Sequence, residues 1–210
     1  MGTKERRDRE REALRGEILT AARELFIAEG YERVSMRRIA ERIEYSPTTI
    51  YLYFRDKSEI LFQICEQTFA KLVRALQRIE RQELDPEESL RQGCRAYIRF
   101  GLRNPHQYRL AFMVPWAAVV EGSALEDENH YEGSMGERAF GLLVSSVERC
   151  MLAERFRKID LAVASQVLWA GIHGVTSLLI TVGEDEFPWV ERNQLIDETI
   201  ETLVRGLKQK

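Results

Sequence analysis

The chain has 210 residues and a formal net charge of −3, with 31 Lys and Arg against 34 Asp and Glu. That balance excludes a protein that grips nucleic acid by whole-chain charge; a basic set for such a task has to be gathered on one face. No sustained alternation of apolar and polar residues occurs, which excludes a sheet protein and points to an all-α fold.

Residues 1–12 are an almost wholly charged tail, KERRDRERE, and read as frayed. The first helix then shows Leu14, Ile18, Ala22, Leu25 and Phe26 on one face, and Gly30 ends it at a C′ position. Three helix starts crowd into Val34–Lys57. Ser35 caps a short helix, with Val34 and Ile39 as its staple. Ser46 caps a second, with Pro47 at its first position and Tyr45 stapled onto Ile50. Asp56 caps a third, with Glu59 completing a capping box. Two helices this short hold only by packing Ile39, Ala40, Ile43, Ile50 and Phe54 on a neighbour. The residues left outward are Arg, Ser, Thr and Tyr. This is the grammar of a helix-turn-helix, whose second helix enters the major groove of DNA.

Within it, Arg37 can offer two parallel donors to a guanine edge. Thr48 and Thr49 occupy the first turn of the recognition helix, where residues meet bases. Tyr45, Ser46 and Pro47 form the turn beside them. Tyr51, Tyr53 and Lys57 lie toward the far side, where phenol and ammonium groups suit phosphates. The plain alternatives are a solvated arginine and core tyrosines.

From Asp56 to about Gln82 a helix of about 40 Å carries Leu61, Cys65, Phe69, Leu72, Leu76 and Ile79 on one face. It joins an N-terminal head, residues 1–57, to a body, residues 58–210. Asp85 caps the next helix, with Glu88 completing a second box. That helix turns Leu90, Cys94, Tyr97, Ile98, Gly101 and Leu102 inward. Its Arg91, Arg95, Arg99 and Arg103 form a stripe, read either as a solvated face or as the source of one arginine for a ligand carboxylate. A short helix runs from Asn104-Pro105 to near Pro115. Residues 117–135, rich in Gly and acidic side chains, read as a long mobile loop. Helices over about 136–154 and 161–182 follow, and the last shows Ile196, Ile200, Leu203, Val204 and Leu207. About nine helices are predicted.

Leu161–Val182 holds no Asp, Glu, Lys or Arg and is long enough to cross a bilayer. Its Gln166, His173, Thr176, Ser177 and Thr181 are costly in hydrocarbon, and no aromatic and basic belt flanks both ends. The expectation is a helix inside a core or shared with a second subunit, and no membrane. Cys65, Cys94 and Cys150 are odd in number, widely spaced and without metal spacing. With no signal-peptide pattern, they read as free buried thiols of the cytoplasm. The histidines, His106, His130 and His173, pair with nothing at metal spacing, and no phosphate loop or nucleophile motif occurs, so no metal, cofactor or catalysis is expected. His173 reads as a hydrogen-bonded core histidine or an effector contact. Tyr97, Tyr108, Phe112 and Trp116, with Trp169, read as core or as the lining of an apolar pocket.

The stretch SPTTIYLYFRDKSEI before a long helix resembles the TetR family of one-component bacterial transcriptional regulators, over about residues 12–62. Trp169-Ala170-Gly171-Ile172-His173-Gly174 is similar to a Trp-x-Gly-x-His-Gly signature of one branch of that family. The resemblance implies a homodimer with a small-molecule pocket in the body. It implies an interface from the last two helices, carried by Ala170, Gly171, Gly174, Ile196, Ile200, Leu203, Val204 and Leu207. By position, Arg37, Thr48, Thr49, Tyr51, Tyr53 and Lys57 match the family's DNA contacts. Positions 48 and 52 (Leu52) vary in the family, so no operator sequence is implied. The resulting expectation is a repressor of a pseudo-palindromic operator, released by a small effector. Two alternatives stay open: a constitutive DNA-binding protein without ligand, and a helical carrier or enzyme with a structural head.

Overall fold

The computed structural model describes residues 3–126, 129, 131–183 and 186–208. These residues are all-α, in ten helices and no strand: α1 (Thr3–Glu29), α2 (Met36–Arg42), α3 (Pro47–Tyr51), α4 (Lys57–Glu80), α5 (Pro86–Arg103), α6 (Pro105–Phe112), α7 (Trp116–Val120), α8 (Met135–Leu152), α9 (Leu161–Thr181) and α10 (Arg192–Leu207). Their contacts divide the chain into two compact units, residues 1–68 with 106–132, and residues 69–105 with 133–210.

The helix starts form by the local chemistry of their caps. The Ser35 hydroxyl accepts the Arg38 amide at 3.1 Å, and the Ser46 hydroxyl accepts the Thr49 amide at 3.2 Å. One Asp56 oxygen accepts the amides of Ser58 and Glu59 at 2.9 and 3.0 Å. Gly30 sits at φ +84°, a left-handed conformation, and its amide returns to the Phe26 carbonyl at 3.1 Å. The two expected capping boxes close differently. Glu59 reaches the Arg55 amide at 2.7 Å, and Glu88 turns to the Gln92 side chain at 2.8 Å.

Two expectations are corrected. The charged N-terminal stretch is helical from Thr3, because its opposite charges fall at i, i+4, as in the Arg6–Glu10 pair at 3.4 Å. The 117–135 stretch is no free loop over its described part. Trp116–Val120 forms α7, the helix that raises the count from about nine to ten, and Leu125 is 1% exposed. His130 lies outside the described residues.

In the first unit, Ile18, Ala22 and Phe26 of α1 meet Ile39, Ile50 and Phe54 in a buried core that continues along Ile60, Leu61 and Ile64 of α4. In the second unit α5 packs on α8, α9 and α10, burying Leu90, Ile98, Val147, Leu168, Ile200 and Val204. All three cysteines are free and buried, and burial pushes the Cys65 and Cys94 thiols up to about 12 and Cys150 to about 11. They stay protonated and unreactive near neutral pH.

Helix α9 is long and apolar enough to cross a membrane by length and composition. One face, with Ala164, Ser165, Leu168, Ile172, Val175, Thr176 and Leu179, is buried in the second unit. The other leaves Val163, Val167 and Leu178 about half exposed, at 50%, 46% and 51%.

Candidate nucleic-acid interface and ligand-binding body

The head is built around a tight turn. Helix α2 buries Met36, Ile39 and Ala40. The chain then passes through Glu44 at φ 60°, so that the Tyr45 amide returns to the Ala40 carbonyl at 3.0 Å. Helix α3 buries only Ile50, which rolls the rest of its surface outward. Tyr45, Ser46, Pro47, Thr48 and Tyr51 are all exposed, and the Arg37 side chain is 81% exposed. Thr49 is half-buried, its hydroxyl 2.9 Å from that of Ser46. Tyr53 is half-buried, with the Arg11 guanidinium 6.0 Å from its ring.

Lys57 is the exception among the expected contacts. Its ammonium donates to the Tyr31 and Glu32 carbonyls at 3.1 and 3.3 Å and lies 4.3 Å from the Tyr31 ring. The carbonyls that follow α1 satisfy a charge that the sequence reading gives to a phosphate. Leu52, 72% exposed, belongs to the outward surface instead. Its position two residues from buried Ile50, about 200° around the helix, is the signal that marks it.

The arginines of α2 are all answered in the free protein. Arg37 meets Glu41 at 3.1 Å, Arg38 meets Glu29 at 3.0 Å and Arg42 meets Glu24 at 3.1 Å. A phosphate or base at this surface has to compete with those carboxylates.

The six expected effector residues fall into two groups. Tyr108, Phe112 and Trp116 belong to the first unit, with Tyr108 and Phe112 rings 4.6 Å apart and the Trp116 indole N–H donating to the Ala111 carbonyl at 3.2 Å. Tyr97, Trp169 and His173 belong to the second. There the Tyr97 hydroxyl lies 3.2 Å from His173 Nδ1, the Ser177 hydroxyl 3.2 Å from Nε2, and the Trp169 ring 5.6 Å from the imidazole. Burial holds the His173 pKa below its ordinary value, so the ring is neutral near pH 7. The Arg stripe of α5 is partly a clamp. Arg91 meets Glu201 at 2.6 Å and Glu87 at 3.1 Å, and Arg95 meets Asp197 at 2.7 Å. A groove of about 810 Å³, lined by α4 and α5 with Asp197, holds the rest of the stripe and none of the six aromatic and histidine side chains.

The expected dimer residues are redistributed as well. Ile196, Ile200, Val204 and Leu207 are 5%, 1%, 0% and 3% exposed, so they form the core of their own protomer and cannot present a surface to a partner. A Cβ on Gly171 would stand 2.5 Å from Leu203 Cδ1, so these two residues serve the approach of α9 and α10 within the chain. Ala170 is exposed, and nothing lies within 4 Å of a Cβ placed on Gly174.

Comparison with known proteins agrees with this geometry. Residues 18–64 match the model of bacterial regulatory proteins of the tetR family, and residues 90–205 match the tetracyclin repressor-like C-terminal domain. The chain is 30% identical over 102 residues to the HTH-type transcriptional activator FasR of Mycolicibacterium smegmatis, covering 49% of this chain and 47% of that protein. It is 37% identical over 54 residues to the HTH-type transcriptional regulator TcmR of Streptomyces glaucescens, covering 26% of this chain and 24% of that protein. The match thus spans about half or less of the length of these relatives. The TetR family regulator PfmR of Thermus thermophilus superposes with a TM-score of 0.67 at 22% identity, covering 91% of this chain and 99% of that one. The fatty acid degradation regulator FadR of Bacillus halodurans does so with 0.72 at 18% identity, covering 93% and 97%. A capped helix-turn-helix with an outward polar face, joined to a helical body that matches its own family model, places the chain in the TetR family of DNA-binding transcriptional regulators.

Proposed function

We propose that the chain is a cytoplasmic, homodimeric repressor of a pseudo-palindromic operator, released by a small effector. Residues 1–57 read DNA, and residues 58–210 bind the ligand and the partner subunit. The observation that carries the reading is the single buried residue of α3. With Ile50 inward, Tyr45, Ser46, Pro47, Thr48, Tyr51 and Leu52 are offered together to a groove. The half-exposed apolar face of α9, with Val163, Val167, Ala170 and Leu178, supports the homodimer. Left in water it is unfavourable, and a second copy covers it without a membrane. Two heads then meet successive major grooves about 34–36 Å apart. Helix α4 begins just after the helix-turn-helix and ends in the second unit, so a ligand that prefers one position of α4 there changes the spacing of the heads.

Fluorescence anisotropy on the promoter DNA beside the gene tests this. Arg37→Ala and Tyr51→Ala each weaken binding about tenfold or more at roughly 0.15 M salt. Full affinity in both variants defeats the DNA assignment. A reporter driven by that promoter gives the sign of regulation: the relative FasR is named an activator, and lower output without the gene would place this chain with it. Val167→Asp yields monomers in sedimentation, and a dimer that survives it puts the interface elsewhere.

A further inference from the structure

We propose that the groove between the second half of α4 and the stripe face of α5 binds a small amphipathic anion, a phosphate-class head on an apolar tail. Its volume, about 810 Å³, suits a single small molecule. The inference deepens the effector-released reading above and rests on it only for the consequence at DNA.

The stripe itself separates the structural arginines from the available ones. Arg91 and Arg95 are answered by Glu201 and Asp197 on α10. The two helices are antiparallel there, so the next partner in register, opposite Arg99, falls at Asn193, which is neutral and held by Glu191 at 3.1 Å. The ladder of ion pairs stops at that position. Arg99 and Arg103, together with Lys71 across the same groove on α4, join no ion pair among the described residues, although Glu88 and Asp197 also line the groove. The dipole at the C-terminal end of α5 accounts for Arg103 alone. Arginines one helical turn apart repel each other, and a doubly charged head removes that cost. Guanidinium forks match phosphate oxygens two at a time, and Lys71 adds a point charge.

The apolar part of the groove is equally specific. Ala75 and Ile79 of α4 and Ala96 and Phe100 of α5 line it beside the cations. Lys71, Arg99 and Arg103 lie farther along the chain from the 81–85 connection between the two helices than Ile79 does. The head therefore sits among the cations, and the tail lies along Ala75, Ala96 and Phe100. Glu88 and Asp197, also in the lining, oppose a nucleic-acid strand running the length of the groove.

The probe is n-decyl phosphate, kept below its micelle concentration and titrated calorimetrically into the full chain. Inorganic phosphate and n-decanol serve as the head and the tail alone. The expected result is one saturable site per protomer, at least about tenfold tighter for decyl phosphate than for either half. Arg99→Gln with Arg103→Gln weakens it about tenfold or more without lowering the melting temperature or changing ligand-free DNA affinity. Asn193→Asp weakens it too, by supplying the missing carboxylate. No saturable heat up to about 1 mM, equal binding in the double variant, or decanol binding as tightly each overturns the site. Promoter DNA anisotropy in parallel separates the two claims. Decyl phosphate that binds without releasing DNA upholds the site and removes it from regulation, whereas no binding removes the site and leaves effector control to another cavity.

Discussion

The carboxylate of Asp56 holds two segments at once: one oxygen caps α4, and the other accepts the Ala124 amide at 2.7 Å. The residue that starts the helix after the helix-turn-helix thus also ties down the chain beyond α7. Burial raises the Asp56 pKa, but bonds from the Ser58 hydroxyl and from the Ala124, Glu59 and Ser58 amides outweigh it and hold the pKa below the ordinary value. Asp56→Ala leaves these donors unanswered and is expected to cost about 1–3 kcal/mol. Thermal unfolding reads the loss, and limited proteolysis reads faster cleavage near residues 121–135. Since the folded pKa is the lower one, this stabilisation is complete above the unfolded value and is lost as the pH falls below about 4. An Asp56→Ala protein as stable and as protease-resistant as the parent would show that the Ala124 contact does not form in solution.

Lys57 is expected to behave as a structural residue. Its ammonium donates to two carbonyls after α1, at 3.1 and 3.3 Å. Lys57→Met should cost about 1–2 kcal/mol of stability. It should leave unchanged the slope of log affinity for DNA against log salt concentration. A slope smaller by about one would mean that Lys57 leaves the carbonyls and meets a phosphate in the complex.

The difference between legible and illegible parts follows the range of the chemistry. The caps at Ser35, Ser46, Asp56 and Asp85 and the C′ glycine at Gly30 were readable because a side chain, or for Gly30 the Phe26 carbonyl, within four residues answers each backbone group. Lys57 was not, since an ammonium suits a carbonyl as well as a phosphate. The fate of the α5 stripe depends on Asp197 and Glu201, more than a hundred residues away in sequence. Helix α9 misled because it is apolar on both faces, so periodicity could not tell its inner side from its outer. The short helix α7 has neither a side-chain cap bond nor enough length for a helical period to show.

Gly171 and Leu203 offer a test in which a sign changes. An added Cβ on Gly171 meets two Leu203 methyls at 2.5 and 2.7 Å, so Gly171→Ala overpacks the α9–α10 contact by about 1–3 kcal/mol. The gain in helix propensity, about 1 kcal/mol, offsets only part of that. In a Leu203→Ala background the clash is gone and the same substitution should stabilise by about that propensity term. Urea unfolding at one fixed protein concentration gives the four corners of the cycle. An identical effect of Gly171→Ala in both backgrounds would show that the glycine serves a contact outside its own protomer.

His173 should set the stability of the body between neutral and mildly acid pH. The ring is held between the Tyr97 and Ser177 hydroxyls, each at 3.2 Å, and burial keeps its pKa below the ordinary value. The unfolded chain therefore takes up the proton first as the pH falls. The stabilisation is complete above the unfolded value, about 6.5, and is lost from there down through the folded pKa. Glu87 and Glu201 are also held below their ordinary values, Glu87 by Lys208 and Arg91 against its burial and Glu201 by Arg91, but their contribution fades only nearer pH 4. A melting-temperature profile from pH 7.5 to 5.5 thus reads the imidazole apart from these two carboxylates. His173→Gln, which keeps a donor and an acceptor without a titrating group, should flatten that profile while leaving the decline below pH 5. A profile that falls as steeply in the glutamine variant would locate the acid sensitivity in other groups and leave His173 a packing residue only.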